Sequence, residues 1–153
     1  MALPQQADPG AIRALECPPG AEYDEETFLY FLTMERARAE RANYRVQLLL
    51  ATIEPVPGKP VQFPRASVAR LFEGLKLSLR DTDITGWYRQ SHVAGAVLSA
   101  HADAPGWETP GPIERRVGET LRRRLPSKLA ASLRVRVVEH GPRPVSNGRS
   151  QTT

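Results

Sequence analysis

Residues 79–100 read LRDTDITGWYRQSHVAGAVLSA, and this stretch decides the class of fold. Two strand-prone segments, 83–88 and 92–100, flank the polar tripeptide Arg89-Gln90-Ser91, a pattern that predicts an antiparallel hairpin. An Arg-x-x-Asp unit, Arg80 and Asp83, leads into it. A hairpin of this kind needs a sheet to complete it, so strands should lie elsewhere in the chain.

Working backward, Val68, Leu71, Phe72, Leu75 and Leu79 recur at offsets of 3, 4, 7 and 11, which predicts an amphipathic helix over about 66–80. Before it, EPVPGKPVQFP (54–64) holds four prolines and a glycine and reads as an irregular loop. YRVQLLLATI (44–53) is a nearly continuous apolar run, suited to a central strand covered on both faces. A helix over 24–42 should precede that strand. Asp24 can cap it, with Thr27 as a weaker cap, and Glu25 and Glu26 favour its positive end. Phe28, Phe31, Leu32 and Ala39 form its inner stripe, flanked by Glu35, Arg36, Arg38 and Arg41.

Working forward, DAPGWETPGP (103–112) reads as a loop. IERRVGETLRRRL (113–125) is a helix with Ile113, Val117, Leu121 and Leu125 at four-residue steps, and SLRVRVVEH (132–140) alternates like a half-buried strand. The Pro-rich first 22 residues read as a flexible leader and 141–153 as a polar tail, leaving a folded unit over 23–140. Helix, strand, helix, hairpin, helix, strand predicts one α+β sandwich, a mixed and mainly antiparallel sheet covered by helices. Strand order does not follow from the pattern.

The 153 residues suffice for one domain with its own core. No apolar run approaches the ~20 residues of a membrane span, and the start of the chain lacks the basic and apolar regions of a secretory signal. One cysteine, Cys17, excludes an internal disulfide framework and fits a reducing compartment. A soluble, cytoplasmic protein is expected. The net charge of +4 comes with acids interleaved, as in MERARAERANYR (34–45), which is the pattern of a solvated helix face rather than a nucleic-acid footprint. His92, His101 and His140 share no metal-ligand spacing, and the sequence holds no Gly-rich phosphate loop and no serine-nucleophile elbow.

The element order and three segments, FLYFLTMERARAERANYRVQLLLATI, ASVARLFEGLKLSLR and RDTDITGWYRQSHVAGAVL, together resemble the diguanylate cyclase (GGDEF) family. The resemblance spans about 24–140 and implies a nucleotidyl-cyclase, ferredoxin-like palm. In that family an Arg-x-x-Asp unit stands five residues before the signature turn. Here five residues, 84–88, separate Asp83 from Arg89-Gln90-Ser91-His92-Val93. The family's two glycines are thus Arg89 and Gln90, its acidic third position is Ser91, and its fourth is His92. The aspartate that ends its first strand falls near Ala51.

Two-metal phosphoryl transfer needs carboxylates to hold the ions, and alanine and serine cannot replace them. The resemblance therefore implies a non-catalytic regulatory module in bacterial signalling, of the kind that serves surface polysaccharide, adhesion and motility, acting through a partner protein or a homo-oligomer. It implies cyclic di-GMP as the ligand of Arg80 and Asp83, a guanidinium fork for phosphate or guanine and a carboxylate for guanine N–H groups. The same pair also suits a structural role at a helix end. No metal or cofactor is expected of such a module. A diverged cyclase would need magnesium and the remaining carboxylates Glu54, Asp81 and Asp83. Trp87 and Tyr88 are candidates for base stacking or for packing, and Arg115, Arg116, Arg122, Arg123 and Arg124 for anion contacts or plain solvation.

Overall fold

A computed structural model describes residues 22–100 and 108–141. The expected leader with Cys17, His101, the first half of the 103–112 loop and the tail beyond Gly141 lie outside the described residues.

The first helix, α1, spans Glu25–Ala42. The Asp24 carboxylate accepts from the Thr27 N–H at 2.9 Å, so Asp24 rather than Thr27 is the cap. Asn43 ends the helix in the left-handed conformation, φ 58° and ψ 50°, with its N–H returned to the Ala39 carbonyl. Strand β1 follows over Arg45–Val56 and turns through Gly58, φ 81°, into the short β2, Lys59–Val61. The expected loop over 54–64 is therefore mostly a hairpin. Its prolines stand at the outer end of the sheet, where a missing N–H costs little. Glu54 fastens it: the Thr52 hydroxyl and the Gly58 N–H donate to its two oxygens at 2.6 and 3.0 Å.

A 3-10 turn, Arg65–Ser67, leads into α2, Val68–Ser78, two residues shorter at each end than the expected 66–80. Strands β3, Ile84–Arg89, and β4, Val93–Ala100, form the expected hairpin. Helix α3 runs Pro110–Arg124, starting three residues earlier than predicted because prolines are accepted in a first helical turn. A six-residue helix absent from the sequence reading, α4, Ser127–Ser132, precedes β5, Leu133–His140.

β1 is central. β4 pairs with it over Arg45–Ala51 and β5 over Val46–Ile53, so these two strands occupy opposite edges. Ile53 faces both Val61 and Leu133, which puts the short β2 on the β4 side, beyond the end of β4. The long strands thus lie in the order β3-β4-β1-β5. Every ladder between these strands is antiparallel; the one parallel contact among the described residues is the isolated Tyr23–Gly86 bridge. Two β-α-β units, β1-α2-β3 and β4-α3-β5, interleave, as in ferredoxin-like sheets. The molecule is an α+β sandwich.

Alternation along β1 divides the core in two. Leu49, Ala51 and Ile53 join Phe72, Leu75, Val117 and Leu121 under α2 and α3. Val46 and Leu48 face the other way, against Phe28, Leu32 and Ala39 of α1. That second contact depends on two glycines opposed across the hairpin, Gly86 and Gly95. A Cβ on Gly95 would stand 2.9 Å from Phe28 Cζ, and one on Gly86 3.0 Å from Phe28 Cδ1, so the bare backbone is what admits the ring. Phe28 is fully buried, worth roughly 2–3 kcal/mol relative to exposure. Glu35, expected on the flank, is buried as well and accepts from the Tyr44 hydroxyl at 2.7 Å and from Arg38 at 3.1 Å.

Candidate functional site

The hairpin turn over Arg89, Gln90, Ser91, His92 and Val93 is tied to its surroundings on every side. Glu25, first residue of α1, accepts the Gln90 N–H at 2.7 Å, and its own N–H donates to the Gln90 side-chain oxygen at 3.0 Å. Ser91 takes a left-handed backbone, φ 66°, and its carbonyl accepts the Phe63 N–H at 2.8 Å. The His92 N–H closes the turn on the Arg89 carbonyl at 3.0 Å, while its Nδ1–H donates to the Gln90 carbonyl at 3.0 Å. Val93 is buried. The Gln90 and His92 amides, which could otherwise face an anion, are already engaged within the protein.

Arg80 and Asp83 lie at the other end of β3, where α2 gives way to the strand. The Asp83 N–H donates to the Arg80 carbonyl at 2.9 Å, and Asp83 Oδ2 accepts the Arg80 N–H at 2.9 Å. The two side chains are less tightly joined, with Arg80 Nε 4.0 Å from Asp83 Oδ2. Exposure separates their roles, 56% for the Arg80 side chain against 6% for Asp83. Burial pushes the Asp83 carboxyl above its ordinary range, against the opposing pull of the Arg80 backbone and the Arg80 and Arg116 guanidiniums. Asp83 therefore holds the loop, and Arg80 offers an open guanidinium. The hydrogen bonds of the pair close the turn that follows α2, which is the structural role expected of it.

The other residues singled out by sequence scatter. Ala51 is buried beneath α2 and α3. Trp87 is enclosed between Phe63 and Phe72, at centroid distances of 5.8 and 5.0 Å, and is no stacking platform. Tyr88 points to the opposite face, half-buried beside the α1 cluster. His140 Nε2 accepts from Arg36 Nη2 at 2.9 Å. Arg116, Arg122, Arg123 and Arg124 each bond within the fold, to Glu108, the Leu133 carbonyl, the Glu119 carbonyl and Glu73 respectively.

The carboxylates that a diverged cyclase would need are not brought together. Leu48 is level with Ile84 through Val97, and Glu54 lies six residues farther along β1. At ~3.3 Å per residue, Glu54 and Asp83 are separated by roughly 20 Å along the sheet, against the ~4 Å spacing of a two-metal site. Glu54 is held ionised, its carboxyl pulled below the ordinary range by the Thr52 hydroxyl and the Gly58 amide, with help from Arg136 and Arg134. Among the described residues no three His, Cys, Asp or Glu side chains are grouped to hold a metal, and no helix is long and apolar enough to cross a membrane.

No protein-family model matches this chain, and no curated protein matches it.

Proposed function

We propose that the chain is a non-catalytic regulatory or interaction module, a palm-like sandwich that resembles the diguanylate cyclase family, and that it binds cyclic di-GMP and acts through a partner protein. The observation that carries this reading is the use of the hairpin turn. The segment that resembles the family's signature spends its amides and side chains on fastening α1 to the sheet, with Glu25 and Gln90 bonded in both directions.

In this reading Arg80 is the ligand-binding group and Asp83 fixes the loop that presents it. A guanidinium held at a loop and more than half exposed can form two parallel hydrogen bonds to a phosphate, worth about 1.5–3 kcal/mol for a charged acceptor. The test is titration calorimetry of cyclic di-GMP into the protein and into Arg80→Ala. Saturable binding, weakened by about tenfold or more in the variant, is expected. No heat with either protein, or equal affinity in both, would remove the ligand from the proposal.

A further inference from the structure

The sheet has two faces, and they are covered unequally. Helices α2 and α3 cover one. On the other, α1 starts at the β3–β4 turn, where Glu25 meets Gln90, and reaches the far end of β5, where Arg36 meets His140. This diagonal leaves bare the first half of β5 and the adjoining part of β1. Arg134 and Arg136 are exposed there, Val138 is 37% exposed, and Leu50 is only half-buried although it lies on the central strand. Register places Leu50 opposite Arg136 and Thr52 opposite Arg134.

Two hollows lie on the β5 side of α1. One, of about 220 Å³, is lined by Leu50, Glu54, Tyr88, Arg89, Arg134 and Arg136 among others. The other, of about 260 Å³, lies at the opposite end of the strand between Arg36, Glu40, Val46 and His140. Arg134, Arg136, Val138 and His140 alternate along β5 from the first hollow to the second. The bare strip is about two strands wide, near 10 Å, which is the diameter of one helix with its side chains.

From this we infer that the bare half of the sheet face docks an acidic amphipathic helix of a partner protein. The width calls for one helix beside α1. The apolar floor, Leu50 and Val138 with the ring of Tyr88, calls for an apolar stripe on it. Charge decides the rest. The guanidiniums of Arg89, Arg134 and Arg136 have no hydrogen bond or close ion pair within the described residues, and the one carboxylate among them, Glu54, has both oxygens engaged by Thr52 and Gly58. Unpaired guanidiniums flanking an apolar slot attract acidic side chains and discriminate against basic ones. The chain's own ends match poorly: residues 142–153 carry Arg143 and Arg149 and no acid, and residues 1–21 carry Asp8 and Glu16 against Arg13. The inference rests on the reading of the chain as an interaction module, and it concerns a different surface from Arg80.

The experiment titrates the full-length protein with a designed helical peptide of about 18 residues, five turns long, with a leucine and alanine stripe flanked by glutamates. A lysine version is the control, and binding is followed by fluorescence anisotropy and by backbone amide shifts. Binding of the acidic peptide alone is expected, with shifts at Leu50, Arg136 and Val138. Affinity should fall about tenfold or more in the Arg134→Glu, Arg136→Glu double variant and stay unchanged in Arg115→Glu on α3. Failure of the acidic peptide to bind, or binding indifferent to the double variant, overturns the inference. So do the same shifts produced by inorganic phosphate without peptide, which would make the hollow a small-anion site. A spin label on Cys17 that broadens Leu50 and Val138 would give the face to residues 1–21, and dimerisation that protects those residues would give it to a second copy. Cyclic di-GMP binding at Arg80 can succeed or fail independently of all these outcomes.

Discussion

Gly95 and Tyr44 show how far single residues determine this fold. Gly95→Ala adds one methyl 2.9 Å from the Phe28 ring, inside a contact that has no room to yield. Overpacking of this kind should lower unfolding stability by about 1–3 kcal/mol in urea titrations. Gly111→Ala, where nothing lies within 4 Å, should leave stability unchanged or raise it, since a helix favours alanine. Equal effects at both sites would refute the role given to the glycine pair. Tyr44 is pushed up to about 12 by its own burial, then by its hydrogen bond to Glu35 and the charge of that carboxylate. A raised folded value means the unfolded chain ionises first. The contribution is intact below the ordinary tyrosine value of 10.0 and is lost as pH climbs from there towards about 12. Absorbance titration should show one late tyrosinate step, missing in Tyr44→Phe; an unchanged curve would contradict the buried pairing.

At the scale of elements, local signals were legible and long-range ones were not. The cap at Asp24, the stripe of α2 and the hairpin around Gln90 all follow from spacing that the chain carries locally. The β1–β2 hairpin was hidden because prolines suggest a loop, and only the sheet's outer end makes Pro55 and Pro60 acceptable. Glu35 could not be placed in the core from the helix pattern, since its partner hydroxyl belongs to Tyr44, in the connection beyond the helix end. Strand order depends on which helix crosses which face, and no short window reports that. The candidate site divides in the same way. Arg80 and Asp83 were visible as a motif, whereas Arg134 and Arg136 were visible only as alternation until the sheet put them beside Glu54 and Tyr88.

The contact between α1 and β5 carries a pH prediction of its own. His140 is held below the ordinary 6.5, first by burial and then by the Arg36 charge, so the folded protein favours the neutral ring that accepts from Arg36. Glu40, which lines the same hollow, is the nearby opposing charge. Because the unfolded chain takes up the proton first, stability from this contact is complete above about 6.5 and declines as pH falls through and below it. Melting temperatures measured between about pH 8 and pH 5 should fall more steeply in the native protein than in His140→Gln, which can accept the same bond without titrating. Parallel slopes would show that the pair does not couple α1 to the sheet.

For the whole molecule, the sandwich is a scaffold whose β3–β4 turn serves as a clasp. The clasp joins α1 to the β3–β4 turn, an exposed arginine stands at the opposite end of β3, and a cationic strip lies along β5. The Arg80 end of β3 stands apart from the other two places, whereas the clasp and the cationic strip meet at Arg89. The most direct test of the central claim is an assay for nucleotide turnover, incubating the purified protein with GTP and magnesium and following cyclic dinucleotide and pyrophosphate. The account predicts no product above the protein-free control. Saturable, magnesium-dependent turnover abolished by Glu54→Gln would contradict it, since a carboxylate roughly 20 Å from Asp83 along the sheet would then be serving catalysis rather than holding a hairpin.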